Sequence, residues 1–382
     1  MFDSQPEGMV TVVDRSGRTT TLSRNWTGLG LAWTPSGEEI WFTASHGGVA
    51  DPTSTTNESR NGAPWLQAVS LSGVERTVHR APDWLVLHDI APDGRVLLSR
   101  NSVRIAMACQ PSGEASERDL SWLTASLPNG ISSDGETVVF HDVLIGRTPS
   151  GNPTIFRRGL DGSAAIALGE GFSRALSPDK RWVLAQLRDD LILLPMGAGS
   201  KVTLPKGNLR QTAGGAWLDA RRIVFLGLAD DNRPRGYVQE IPDGAPRAIT
   251  PADVVLAQRG AVRDEASVLA RFQGQWNLYP IAGGNPTPVR ALTSGDIPVQ
   301  WSDDGRFIYT METVAPPGLP SRDVFRVELS TGRKTHWKTL GPRDPVGVEA
   351  TANNITIAPN GQSYCYSYLR RLGDLFIATG LQ

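Results

Sequence analysis

A short phrase recurs along this chain: a small or apolar residue, Ser or Ala, Pro or Asp, then Asp, Gly, a polar residue and a run of apolar residues. It stands at Ala91-Pro92-Asp93-Gly94 before Val96-Leu97-Leu98, at Ser132-Ser133-Asp134-Gly135 before Val138-Val139-Phe140, and at Ser302-Asp303-Asp304-Gly305 before Phe307-Ile308-Tyr309. Variants stand at Thr34-Pro35-Ser36-Gly37, Ser177-Pro178-Asp179-Lys180 and Ala358-Pro359-Asn360-Gly361. Units of strand, turn and strand spaced 40 to 57 residues apart predict an array of blades. Asp caps a tight turn through its side chain, Gly supplies a positive φ, and Pro presets the φ before it.

After each such turn come two more strand-like stretches. Leu191-Ile192-Leu193-Leu194, Gly197-Ala198-Gly199 and Lys201-Val202-Thr203-Leu204 are one example. Four short strands per unit, joined by hairpins, define an all-β fold: a β-propeller of four-stranded antiparallel blades. The turn positions Gly37, Gly94, Gly135, Lys180, Ala220, Glu265, Gly305 and Gly361 give eight blades; the degenerate members at Ala220 and Glu265 leave seven as the alternative. The expected organisation is a single propeller over residues 1–382, with residues 1–8 a flexible N-terminal segment. Residues 9–22 read as a hairpin without a preceding strand pair, and Ile355 to Ala378 as three strands without a fourth, so the last blade is expected to be closed by residues 9–22.

Composition removes several classes of function. Lys plus Arg number 38 against 39 for Asp plus Glu, a net charge of -1, so no field draws the chain to nucleic acid or inserts it into an anionic membrane. Gly 40 and Pro 27 exceed the usual combined share of about 12%, as many turns require. No apolar run approaches the roughly 18 residues of a membrane span, and Met1 to Val10 has neither a charged nor an apolar leader segment. Cys109 and Cys365 lie far apart in strand-like runs and read as two buried free thiols.

The Ser-Pro-Asp-Gly turn and its following strand resemble the repeats of TolB-type β-propellers. A second resemblance rests on Gly28 to Ala44, Leu87 to Leu98, Glu117 to Leu123 and Ser363 to Leu381. These stretches look like the C-terminal extracytoplasmic propeller region of bacterial eukaryotic-like serine/threonine protein kinases. That resemblance implies a sensor portion, periplasmic or extracellular, of a protein with a kinase domain and a membrane span; a free-standing relative would be cytoplasmic. The chain carries no Gly-rich phosphate loop with a Val-Ala-Ile-Lys strand, no His-Arg-Asp loop and no Asp-Phe-Gly.

Catalytic motifs are likewise missing from the rest of the sequence. No Gly-x-Ser-x-Gly elbow occurs, and Gly197-Ala198-Gly199-Ser200-Lys201 joins two strands rather than a strand and a helix, so it reads as a hairpin corner. The histidines His46, His79, His88, His141 and His336 are scattered; only His88, beside Asp89, falls on an expected innermost strand. Trp33, Trp217 and Trp301 stand just before turns and are expected to pack between blades, whereas Trp65, Trp276 and Trp337 are free for surface contacts. Asp303 and Asp304 read as turn residues, not calcium ligands. Two inserts, Gly47 to Pro64 and Thr313 to Arg322, are recognition loops or plain linkers.

The expected function is that of a non-catalytic binding or sensory module, with no cofactor and no metal, that recognises a protein partner or small ligand at one face. The candidate binding residues are His88, Asp89, Asn129, Arg174, Gln300 and Asn354, polar positions on expected innermost strands. Two other readings stay open: a metal-dependent lyase or cyclase, and a structural assembly subunit.

Overall fold

The computed structural model describes residues 8–46, 65–80, 84–143, 151–312 and 321–381, and every regular element among them is a β-strand. Most of both long inserts thus lies outside the described residues. The chain divides into two compact units: Met1–Val103 with Arg371–Gln382, and Arg104–Arg370.

In the first unit, β1 (Gly8–Val13), β2 (Thr19–Trp33), β3 (Glu39–His46), β4 (Trp65–Ser70) and β5 (Glu75–His79) form one antiparallel sheet in chain order. β6 (Trp84–Ile90) pairs with the beginning of β7 (Val96–Gln110). Trp41, Leu66, Leu87 and Leu98 are buried between these sheets. Gly30 permits their close approach, because a Cβ there would strike the Leu87 carbonyl. Residues 9–22 pair with one another in the β1–β2 hairpin, and β2 runs on through Trp26–Trp33 to pair with β3, whereas the C-terminal β31 pairs with β30 and β7; residues 9–22 thus do not close a C-terminal blade as the sequence led us to expect.

The second unit continues with β8 (Arg118–Asp119). A sheet then follows from β9 (Ser126–Ile131), β10 (Thr137–Asp142), β11 (Thr154–Gly159) and β12 (Ile166–Glu170). Next come β13 (Phe172–Leu176), β14 (Trp182–Leu187), β15 (Asp190–Pro195) and β16 (Val202–Thr203), and then β17 (Gln211–Trp217), β18 (Arg222–Leu228), β19 (Pro234–Glu240) and β20 (Arg247–Ala248). The fourth sheet holds β21 (Val255–Leu256), β22 (Val262–Asp264), β23 (Ser267–Phe272), β24 (Gln275–Pro280) and β25 (Thr287–Pro288), with β21 and β22 both on β23. The fifth holds β26 (Asp296–Trp301), β27 (Phe307–Glu312), β28 (Arg322–Glu328) and β29 (Lys334–Leu340). Last are β30 (Val348–Ile357) and β31 (Tyr364–Ala378), which join β7 in the order β30-β31-β7-β6, with β8 on β7.

Within this unit the sheets close into a ring. β9 meets β13, β13 meets β17, β18 and β19 meet β21, β26 meets β30, and β30 returns to β9. Trp301 joins the fourth sheet to the fifth by donating its indole N–H to the Gly260 carbonyl at 2.8 Å, and Trp217 donates likewise to Ala175 at 3.3 Å. These two tryptophans are the expected inter-blade packing; Trp33 instead is 45% exposed, and Trp276 is buried rather than superficial. The all-β propeller fold stands, but the count of eight or seven blades is not confirmed. Among the described residues there are seven sheets, because the turns at Gly94 and Gly361 both fall on the sheet shared by β7 and β31.

The recurrent turn has a reproducible bond set. At Ser132 the hydroxyl donates to Asp134 Oδ1, the Thr137 N–H donates to Ser132 Oγ at 2.9 Å, and the Gly135 N–H donates to the Ser132 carbonyl at 2.8 Å. Ser302 with Asp304, and Ser177 with Asp179, repeat it. The fourth residue is left-handed: φ is 74° at Gly135, 64° at Gly305 and 56° at Lys180. Asp304 thus spends its carboxylate on the Ser302 hydroxyl and the Arg306 N–H.

Cys109 and Cys365 are joined by a disulfide, which corrects the reading of two free thiols. Their positions on adjacent strands β7 and β31 put the Cα atoms 4.0 Å apart, a proximity that sequence separation conceals. The bond lies where the end of the ring meets its beginning. Tyr364 and Tyr366 add hydrogen bonds to the two oxygens of Glu117 at 2.8 and 2.7 Å, and burial together with that carboxylate pushes both phenols up in pKa.

Replacing both cysteines by alanine should lower the urea midpoint by the equivalent of about 2–5 kcal/mol, since a bond across 256 residues restricts the unfolded chain strongly. A midpoint equal to that of the parent protein under non-reducing conditions would refute the closure role. Gly305→Val should cost about 1–2 kcal/mol, because a β-branched residue resists the left-handed backbone; an unchanged thermal midpoint would contradict it.

Candidate functional site

Four of the six sheets of the ring send polar side chains to its axis. Asn129 comes from β9, Ser173 and Arg174 from β13, Arg259 from the segment between β21 and β22, and Asn354 from β30. Arg259 Nη2 donates to Asn129 Oδ1 at 2.8 Å, although the first and fourth sheets stand opposite one another in ring order. The bond therefore spans the axis of the ring. Arg259 Nη1 also donates to the Ile355 carbonyl, and Asn354 Nδ2 reaches Asn129 Oδ1 at 3.3 Å.

Local packing explains why these groups reach the axis. Innermost strands must crowd together to close a ring, and Gly130 and Gly260 allow it: a Cβ at Gly130 would stand 3.1 Å from Leu176 N, and one at Gly260 3.4 Å from the backbone of Val299 and Gln300. Gly260 also takes a φ of 58°, which turns the chain between β21 and β22 and presents Arg259.

His141, on β10, completes the cluster. Its Nδ1 lies 2.9 Å from Ser173 Oγ and 3.1 Å from Asn129 Nδ2. Asn129 uses its oxygen as acceptor for Arg259 and Asn354, so its amide nitrogen donates to His141, and Nδ1 carries no proton. Burial, then the Arg174 and Arg259 charges, pull the imidazole down to about 3. Burial, and then Arg174, also lower Arg259 to about 10. Arg174 donates through Nη2 to Gln186 Oε1 at 2.7 Å, and Gln186 is itself held by the Thr212 carbonyl at 2.6 Å.

The structure thus brings Asn129, Arg174 and Asn354 together. Gln300 also lies on an innermost strand, β26, where its amide donates to the Trp301 carbonyl at 3.2 Å. His88 and Asp89 belong to the first unit and are exposed; His88 Nε2 lies 2.8 Å from Ser99 Oγ, and Asp89 accepts the Ile90 N–H at 2.8 Å. Sequence reading missed Arg259 and His141. Arg259 sits in the unit whose turn phrase is degraded, so its innermost segment was not recognised, although an Arg directly before Gly260 was the available signal. His141 lies on a second strand and enters the axis from behind Asn129. Among the described residues no three of His, Cys, Asp and Glu gather as a metal would require.

No protein-family model matches the chain, and no curated protein matches it. Solved structures resemble it at the level of fold. The oligogalacturonate lyase of Vibrio parahaemolyticus is 13% identical, with 68% of this chain and 77% of that one covered and a TM-score of 0.43. TolB of Acinetobacter baumannii is 11% identical over 96% of this chain and 62% of that one, with a TM-score of 0.30. The β-propeller domain of the Trilobed protease of Pyrococcus furiosus is 11% identical over 93% and 96%, with a TM-score of 0.39. The resemblance to kinase sensor regions is not confirmed by these matches.

These neighbours correct one expectation, that the chain is not an enzyme. Enzymes, among them that lyase, are found among these resemblances at low identity, and they leave the question of catalysis in this chain unresolved.

His141 supplies a pH test. Its folded pKa lies below the ordinary histidine value of 6.5, so the stability it permits is present above pH 6.5 and is lost as pH falls toward 3. Between pH 7 and pH 5 the loss from this group should be about 2 kcal/mol. His141→Gln should flatten the denaturant-midpoint profile over that interval, whereas parallel profiles for parent and variant would place the acid sensitivity elsewhere.

Proposed function

We propose that the larger unit is a recognition module that takes a small ligand, or the end of a partner chain, at its axial channel. The reading is carried by the convergence of Asn129, Arg174, Arg259 and Asn354 from four sheets onto one axis. Side chains held by strands of a closed ring are preorganised, so little ordering cost opposes binding. Arg174, Arg259 and Asn354 keep partial solvent exposure, which lets a ligand reach them.

The sensory role follows as part of the same proposal: the module reports occupancy of its channel to a longer protein, as the kinase-region resemblance implies. The Cys109–Cys365 disulfide suits an oxidising compartment such as the periplasm.

The test is a thermal-shift screen of soluble metabolites against the whole chain. Compounds that raise the melting temperature should lose their effect in Asn129→Leu and Asn354→Leu and keep it in Arg290→Gln, an exposed change in the turn after β25. Hits that survive both asparagine substitutions would overturn the channel as the binding site.

A further inference from the structure

The axial cluster holds two guanidinium groups without an anionic partner. Arg259 donates to the Asn129 amide and the Ile355 carbonyl, and Arg174 to the Gln186 amide, all neutral acceptors. Among the described residues neither forms an ion pair, and the Arg174 Nε is buried without any acceptor. The two are close enough to repel, since the charge of Arg174 disfavours that of Arg259. Arginines in more exposed places of the same chain are paired: Arg76 with Glu39 at 2.7 Å, Arg222 with Asp219 at 2.6 Å, Arg118 with Glu114 at 2.5 Å. At the axis, by contrast, two guanidinium groups stand near one another with neutral acceptors alone.

Such an arrangement is costly for the empty protein and favourable for a complex. A partly desolvated charge without a partner is destabilising, and a ligand anion that supplies the partner recovers that cost. Guanidinium forks match two oxygens of a carboxylate or phosphate. His141 adds no competing charge, and the Asn129 and Asn354 amides flank the pair with neutral groups.

We propose that the channel binds the anionic group of its ligand, a carboxylate or a phosphate, between Arg174 and Arg259, with Asn129 and Asn354 contacting the adjoining neutral part. This rests on the channel being the recognition site and adds the chemical class that it accepts.

Isothermal titration of the whole chain at constant ionic strength, with chloride as the balancing anion, tests it using inorganic phosphate and succinate as probes. At least one should bind saturably with one-to-one stoichiometry, and which of the two binds distinguishes phosphate from carboxylate recognition. Arg174→Gln and Arg259→Gln should each weaken that binding at least tenfold, while Arg290→Gln should leave it unchanged. Should Arg259→Gln fail to fold, Arg174→Gln decides, because its guanidinium makes a single hydrogen bond, to a side chain of the adjoining strand. No saturable binding of either anion below about 1 mM would overturn the anion class. If neutral compounds then bind and depend on Asn129, the channel reading survives without it. Anion binding that both arginine variants retain would overturn the assignment of the site itself.

Discussion

The larger unit depends on the pairing of β31 with β7. A ring of sheets has no stable end, because an unfinished edge exposes unpaired backbone groups and an uncovered apolar face. Here the last strand pair of the ring, β30 and β31, is completed by strands from its beginning, β7 and β8. The disulfide sits in that seam, and the Glu117 carboxylate ties Tyr364 and Tyr366 across it. Ser112 adds a bond to Gln362 at 2.8 Å. Behind the seam, Tyr309, Trp337 and Tyr364 pack edge to face, so the closing sheet is buried on its neighbour as well as bonded within itself. With the circle closed, the innermost strands are held side by side, and the axial side chains gain fixed positions.

The turn chemistry serves the same end. At Ser132, Ser177 and Ser302 a Ser hydroxyl, an Asp carboxylate and a left-handed fourth residue satisfy the tip of the first hairpin from within. Contacts between sheets come from the apolar faces, from indole N–H groups such as those of Trp217 and Trp301, and from tip to tip, where Lys180 pairs with Asp134 and the Asp303 N–H donates to the Pro359 carbonyl at 3.2 Å. At two tips the fit is closer. A Cβ on Gly135 would run into Ser363, and one on Gly361 into Tyr309, so these glycines meet a steric demand as well as a backbone one.

Much of the fold was legible because its rules are local. The phrase Ser-x-Asp-Gly encodes a turn within five residues, and alternating apolar strands follow directly from it. What sequence did not disclose was long-range pairing. β7 and β31 are each 15 residues long, and the turns at Gly94 and Gly361 therefore serve one sheet, which no local pattern announces. The pairing of Cys109 with Cys365 escaped for the same reason. In the candidate site, Asn129, Arg174 and Asn354 were accessible to sequence reading as polar positions on innermost strands. Arg259 was not, because it lies between two short strands of a sheet whose turn lacks the phrase, and His141 was not, because it approaches from a second strand. His88 and Asp89 satisfied the same polar criterion but fell in the other unit.

The disulfide has a mechanical consequence. A pull applied to the chain on both sides of the ring enters along β7 and leaves along β31, and the covalent link between them lies close to where both strands cross the boundary of the unit. Tension passes from one strand to the other through two sulfur atoms, and the stretch between the cysteines, residues 110–364, carries none of it. The channel and its arginines are thereby isolated from any load borne by the polypeptide.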